Sequence, residues 1–187
     1  MAMPATQIRR GMVIVFEGQP CRVLEFRHHT PGNLRAMIQT KMKNLRNGNS
    51  FEHRFRAADT IERASMETHE LEFMYQGGDT WHFMNTENFD QLEMDEEMLG
   101  DNAQWMQNGM KILAEYYDGR PIGIELPQFL VLEVVDTAPV MKTATKTAST
   151  KPAKLDNGVV INVPEFVATG EKVRVNPNTG EYMDRAK

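Results

Sequence analysis

A short basic segment holds the side chains of this sequence that are best suited to binding a polyanion. Cations neutralise phosphates and release their counterions, and planar guanidinium and imidazole groups stack on exposed bases. The candidate RNA-binding cations of the segment and of the strand predicted after it are Arg27, His28, His29, Arg35, Lys41, Lys43 and Arg46.

The centre of this segment is predicted to be a tight turn, because it contains the pair Pro31-Gly32. The basic groups would then surround the tip of a hairpin, which is suited to entering an RNA-lined cavity. An ordinary exposed hairpin, whose charges only keep the protein in solution, would have the same pattern. The segment alone does not separate these two interpretations.

Charge is distributed unevenly along the chain, whose net charge is −5. Residues 1–65 hold eleven Lys or Arg against five Asp or Glu, residues 66–127 two against fourteen, and residues 128–187 eight against seven. One basic third in an acidic protein indicates a local polyanion contact rather than general coating of nucleic acid. Solubility or docking between domains would explain the asymmetry equally well.

The residue patterns of common enzyme and metal sites are missing from the sequence. There is no P-loop, no dinucleotide-binding glycine motif, no HExxH and no paired CxxC. Adjacent His28 and His29 would point to opposite sides of a strand, and Cys21 lies in an apolar pattern typical of a small buried residue. The acidic run at residues 93–97 lacks the ligand order of a calcium loop. We therefore expect no enzymatic activity, no metal and no cofactor.

The length of 187 residues permits two or three small domains. No apolar run reaches about 18 residues, so we expect no transmembrane helix and no membrane partner. The N-terminal segment lacks the apolar core of a secretory signal, and the single cysteine forms no intramolecular disulfide. These features predict a cytoplasmic protein.

Short apolar runs between turn signals predict an all-β chain. In the first third, strands are predicted at 13–16, 21–26, 37–44 and 51–55, with turns at Glu17-Gly18 and Asn47-Gly48. Four strands of this length match the size of an SH3-like barrel, which we assign to residues 1–65.

Two predicted hairpins, with turns at Gly77-Gly78 and Asp118-Gly119, enclose a short helix within residues 95–107. We expect Asp101 or Asn102 to cap this helix and Trp105 to pack inward. The arrangement indicates an OB barrel over residues 66–127.

The last third, residues 128–187, is predicted to be another small barrel. Its strands are expected at 129–136, 159–163, 172–176 and 181–185. The stretch 138–154 is rich in Thr, Ala and Lys and lacks apolar periodicity, so it is predicted to be a mobile loop.

Long motifs in the middle and last thirds carry a family resemblance. They include Trp81-His82-Phe83-Met84-Asn85, the run from Gly100 to Trp105, residues 121–137, the run from Lys151 to Val167, and residues 170–182. Together they resemble the elongation factor P family of bacterial translation factors. The resemblance extends over essentially the whole chain and in the same order.

The resemblance implies an SH3-like (KOW-type) barrel followed by two OB-fold barrels, in an L about the size of a tRNA. It implies a monomeric, non-enzymatic factor that binds both ribosomal subunits beside peptidyl-tRNA and relieves stalling at consecutive prolines. The loop tip near peptidyl-tRNA would be Pro31, Gly32, Asn33, Leu34 and Arg35. Tyr182 and Arg185 match positions that approach the small subunit, and Lys142 and Lys146 lie in a loop where they would touch phosphate.

The sequence departs from the family pattern at two places. Many members carry a Lys or Arg that enzymes extend covalently, where this chain has Asn33. Either the factor acts unmodified, or Arg35 substitutes, or the chain is an elongation-factor-P-like paralogue with narrower targets. In some relatives a Gly-Asp-Thr run in one loop approaches the exit-site codon. This chain reads Met-Lys-Thr from residue 141 of that loop, so the resemblance does not imply that the loop reads the codon. A general OB-type RNA-binding module is the further alternative.

Overall fold

The computed structural model describes residues 1–32, 34–140 and 149–187. In these ranges the chain forms sixteen strands and three short helical segments, and the strands make three sheets. The predicted all-β class is therefore confirmed. Two compact units are present: Met1–His69 with Ala114–Gly123, and Glu70–Leu113 with Ile124–Lys187. No helix in the described ranges is long and apolar enough to cross a membrane.

The first sheet contains six strands, with a 3₁₀ turn at Ala5–Gln7 after the first. The strands are β1 (Ala2–Pro4), β2 (Val13–Phe16), β3 (Gln19–His29), β4 (Met37–Asn44), β5 (Ser50–Arg56) and β6 (Thr60–Arg63), in the spatial order β1-β6-β2-β3-β4-β5. Ile14, Ile38 and Met42 are fully buried in its core. The turn at Glu17-Gly18 is confirmed, with φ angles of 50° and 74°. Sequence patterns missed β1 and β6, which are too short to show alternation.

The second sheet also contains the predicted hairpins. Its strands are β7 (Met66–Gly77), β8 (Thr80–Asn85), β9 (Gln91–Asp95), β10 (Lys111–Tyr117) and β11 (Arg120–Glu125), in the order β11-β10-β7-β8-β9. Gly77 pairs with Thr80 across the first hairpin, so its two-residue turn is Gly78-Asp79 and not Gly77-Gly78. A glycine at position 78 suits this turn because its φ is 64°.

A short helix, α1 (Glu96–Leu99), follows β9 and continues into a 3₁₀ segment, Gly100–Trp105. The predicted cap at Asp101 or Asn102 is wrong. Asp95 is the capping residue, since its carboxylate accepts a 2.9 Å hydrogen bond from the Met98 N–H. Trp105 is buried, as predicted.

Replacing Asp95 by alanine is expected to lower the free energy of unfolding by about 1 kcal/mol, because the Met98 N–H loses its acceptor. Urea denaturation measures this change. Asp101→Ala is the matched control and is expected to leave the midpoint unchanged. Equal losses for the two variants would contradict the assignment of the cap.

The third sheet corrects one prediction. Its strands are β12 (Leu130–Thr137), β13 (Thr150–Leu155), β14 (Val160–Pro164), β15 (Lys172–Asn176) and β16 (Glu181–Arg185), in the order β14-β13-β12-β15-β16. The loop predicted for 138–154 is therefore wrong over 150–154, where β13 lies between two partner strands.

The pattern of β13 is hidden by a buried lysine. Lys151, Ala153 and Leu155 alternate as inward residues, and Lys151 is only 4% exposed. Its Nζ donates a 2.6 Å hydrogen bond to the Ala138 carbonyl, which gives the buried ammonium an acceptor. A lysine in an inward position conceals the period of two that identifies a half-buried strand.

Candidate nucleic-acid interface

The basic loop joins β3 to β4. These two strands stay paired up to His29 and Met37, and the loop between them covers residues 30–36. The Leu34 N–H donates a 2.9 Å hydrogen bond to the Pro31 carbonyl, and Gly32 has a φ of 51°. Leu34 is 70% exposed, and Arg35 is exposed as well. The predicted tip is therefore a turn in which Leu34 and Arg35 face solvent and Pro31 is half-buried, while Asn33 lies outside the described residues.

The outer face of the sheet beside this loop is basic. Ile38 and Thr40 of β4 are buried, so Gln39 points outward, and its cross-strand neighbours are Arg27 and Arg54. The Arg54 Nε donates a 3.0 Å hydrogen bond to the Gln39 Oε1. Two guanidinium groups therefore flank one amide in a single row across three strands.

A second row lies one step closer to the loop, where Met37 is opposite His29 on one side and Arg56 on the other. His28 is opposite the buried Ile38, and its ring contacts the Phe26 ring edge to face at 5.9 Å. The register therefore places His29, but not His28, on the outer face with the arginines.

Sequence analysis missed Arg54 and Arg56, which are exposed residues of β5. Their signal was the alternation Glu52, Arg54, Arg56, which indicates that these charges share one face of a strand. Only the register of β5 on β4 shows that this face adjoins the loop.

Lys41 has a different environment. Its direct cross-strand neighbours are Glu25 on β3 and Glu52 on β5, so the row has more negative than positive charge. Lys43, one row farther from the loop, is opposite Arg22 and Ser50. The Lys41 row therefore separates the positive charges next to the loop from a second pair of cations, Arg22 and Lys43.

Replacing Lys41 by alanine is expected to change the affinity for RNA less than twofold, because neighbouring carboxylates already offset its charge. The slope of log K against log salt should also stay unchanged, since no phosphate contact is lost. A fall in that slope of about 0.7 to 0.9 would show a lost phosphate contact and contradict this reading.

Arg46 does not join the loop. It follows the far end of β4, at a distance of roughly 25 Å along the eight-residue strand. Its guanidinium lies over the Tyr117 ring, 5.7 Å from the centroid. The prediction that Arg46 lies on the strand after the loop is wrong, because β4 ends at Asn44.

The C-terminal candidates, Tyr182 and Arg185, both lie on β16. Tyr182 is half-buried, and burial raises the pKa of its phenol. The Arg185 guanidinium lies 4.5 Å from the Phe166 ring centroid, donates a 3.0 Å hydrogen bond to the Phe166 carbonyl, and is 3.4 Å from a Glu171 oxygen. Arg185 is therefore tied to its own barrel. Lys142 and Lys146 lie outside the described residues.

No group of three or more His, Cys, Asp or Glu with the arrangement of a metal site occurs in 1–32, 34–140 or 149–187. The acidic run at residues 93–97 instead provides the cap of α1, through Asp95 at the end of β9.

Three family models match successive parts of the chain. Residues 4–61 match the elongation factor P KOW-like domain, residues 66–124 the elongation factor P OB domain, and residues 130–185 the elongation factor P C-terminal domain.

Curated relatives match along their whole length. The elongation factor P of Gemmatimonas aurantiaca is 76% identical over 187 residues, which is all of both chains. That of Acidobacterium capsulatum is 48% identical over 186 residues, again 100% of each. Among solved structures, the eukaryotic translation initiation factor 5A from Methanococcus jannaschii has a TM-score of 0.56 at 15% identity, covering 67% of this chain and 94% of that one. The last similarity concerns the fold alone.

Proposed function

Because the chain belongs to the elongation factor P family and is thus a translation elongation factor, we propose that it binds the ribosome beside peptidyl-tRNA and promotes peptide-bond formation at consecutive prolines. The observation that carries this proposal is the loop between β3 and β4, in which Leu34 and Arg35 are exposed, bordered by the outward arginines of β3 and β5. The partners are both ribosomal subunits and the peptidyl-tRNA, and the factor acts as a monomer.

The mechanism is positional. Proline is a poor acceptor and donor in peptide-bond formation, and its ring restricts the nascent chain. A protein loop that holds the tRNA end in its reactive geometry lowers the entropic part of the barrier without covalent chemistry. Each tenfold gain in rate needs only about 1.4 kcal/mol, which one charge-assisted hydrogen bond can provide.

The positions of the cations support a division of roles between the strands and the turn. Arg27, Arg54 and Arg56 lie on regular strands, where their guanidinium groups would bind backbone phosphates of the acceptor arm. Leu34 and Arg35 lie in the exposed turn beyond them and would reach the tRNA end. In this scheme Arg35 supplies the cation that many family members place at the position of Asn33, so that the factor acts unmodified.

A paralogue with a narrower range of stall motifs is the second candidate, and the tip sequence Pro-Gly-Asn-Leu-Arg favours it. A general RNA-binding module is disfavoured, because residues 66–127 carry fourteen acidic against two basic side chains and offer no continuous positive groove.

Reconstituted translation with purified components tests the proposal. Addition of the protein is expected to accelerate synthesis through three consecutive prolines and to leave a proline-free template unchanged. Templates with other stall motifs separate the general factor from the paralogue. Tight, salt-sensitive binding to a bare oligonucleotide, without acceleration on the ribosome, would favour the RNA-binding module instead.

A further inference from the structure

The turn between β10 and β11 is attached to the N-terminal barrel. Residues Ala114–Gly123 group with Met1–His69 in one compact unit, although more than forty residues of chain separate the two segments. The turn itself, Asp118-Gly119, is tight, with φ angles of 53° and 73°. A two-residue turn of this kind holds the ends of both strands in a fixed relation.

Two arginines of the barrel contact this hairpin. The Arg22 Nη2 lies 2.5 Å from a Glu115 oxygen, and both side chains are about two-thirds covered. The Arg22 Nε is buried and has no hydrogen-bond partner among the described residues, so the guanidinium is enclosed on that edge. The second contact is the Arg46 guanidinium over the Tyr117 ring.

Between these two residues, Tyr116 contacts β7, the neighbour of β10 in the second sheet. The Tyr116 ring meets the His69 ring edge to face at 4.8 Å, and the His69 Nε2 is 3.2 Å from a Glu67 oxygen. Burial raises the pKa of the Tyr116 phenol. Glu115 and Tyr117 of β10 therefore bind the barrel by an ion pair and a cation–π contact.

We propose that the β10–β11 hairpin braces β3 and β4, the strands that carry the basic loop, and that Arg22 and Arg46 are positioning residues rather than RNA contacts. This inference rests on the proposed function where its test measures the rate of proline-stall rescue. Arg22 is on β3 and Arg46 follows β4, so the hairpin holds the two strands whose other ends carry the loop.

Exchange of the charges separates positioning from RNA binding. Arg22→Glu and Glu115→Arg, made singly, are each expected to slow proline-stall rescue about three- to fivefold, as the loss of a partly covered ion pair allows. The double variant is expected to restore the rate, because the pair forms again with the opposite polarity. If Arg22 instead binds a phosphate, a glutamate at position 22 will repel it in the double variant too, and the rate will stay low.

Amide hydrogen exchange on the free protein supplies a readout that does not depend on the ribosome. Each single variant is expected to lower the protection of 114–123 and the double variant to recover it. Failure to recover protection would overturn the proposal. If the double variant recovers protection but the wild-type protein does not rescue proline stalls, the proposed function is refuted and the hairpin contact is still supported.

Variants of Tyr117 test the proposed role of Arg46. Tyr117→Phe is expected to keep wild-type protection and rescue, whereas Tyr117→Ala lowers both, because a phenylalanine ring preserves the cation–π contact. Arg46→Ala should leave the salt slope of ribosome binding unchanged. A slope lower by about 0.7 to 0.9 would show that Arg46 binds a phosphate and would overturn its assignment.

Discussion

Arg35→Ala is expected to slow peptide-bond formation at a proline run about tenfold at saturating factor, with little change in affinity for the ribosome. Arg35 lies in the exposed turn beyond the paired strands, so its contact would form at the reacting end of the tRNA. An interaction made mainly in the transition state lowers the rate when it is lost but leaves binding intact. Tenfold corresponds to about 1.4 kcal/mol.

Single-turnover synthesis of a Pro-Pro bond, titrated with factor, measures rate and affinity together. Arg10→Ala, which removes an exposed arginine outside both the basic face and the β10–β11 hairpin, is the matched control and should behave as wild type. If Arg35→Ala instead weakens ribosome binding and leaves the maximal rate unchanged, Arg35 serves in binding rather than at the reacting end of the tRNA, and its assigned role is contradicted.

The double variant Arg54→Ala with Arg56→Ala is expected to show the opposite profile. Both residues are exposed on β5, opposite Gln39 and Met37 of β4, where phosphate contacts would position the loop. Affinity should fall tenfold or more at low salt, and the slope of log K against log salt should drop by about 1.4 to 1.8 for two lost contacts. The maximal rate at saturation should be retained.

Lys154→Ala with Lys172→Ala removes the same total charge at two exposed residues of the third sheet and serves as control. If this control variant loses as much affinity as the β5 variant, net charge rather than the β5 face determines binding. If neither loses affinity, the basic face has no role in ribosome binding.

The hairpins were predictable because their turns have a local cause. Glu17-Gly18 and Asp118-Gly119 adopt positive φ at both positions, which a two-residue hairpin requires and which such residue pairs favour. The strands flanking them follow from the alternation of apolar residues. The cap of α1 was misplaced because several acidic residues near the helix fit the same signal, and only the geometry selects Asp95.

The remaining differences arise from long-range pairing. The sequence pattern did not predict β13, because its pairing with β12 and β14 buries Lys151, whereas lysine side chains are usually exposed. Likewise, Lys41 belongs to a basic segment in sequence, yet the register surrounds it with Glu25 and Glu52. Arg54 is distant from the loop in sequence but adjoins it in the sheet. Register depends on the whole sheet, so a local pattern does not reveal it.

The central claim is that the tip of the β3–β4 hairpin lies at the aminoacyl end of peptidyl-tRNA. It can be tested with a hydroxyl-radical probe on Leu34→Cys, since Leu34 is 70% exposed. The native Cys21 is buried, and burial together with Glu17 raises the pKa of its thiol, so labelling is confined to the introduced cysteine.

On stalled ribosomes, the probe at position 34 should cleave the acceptor end of the peptidyl-tRNA, and one attached through Val160→Cys, at an exposed residue of β14, should not. An intact acceptor end, with a labelled protein that still binds and still rescues, would contradict the account.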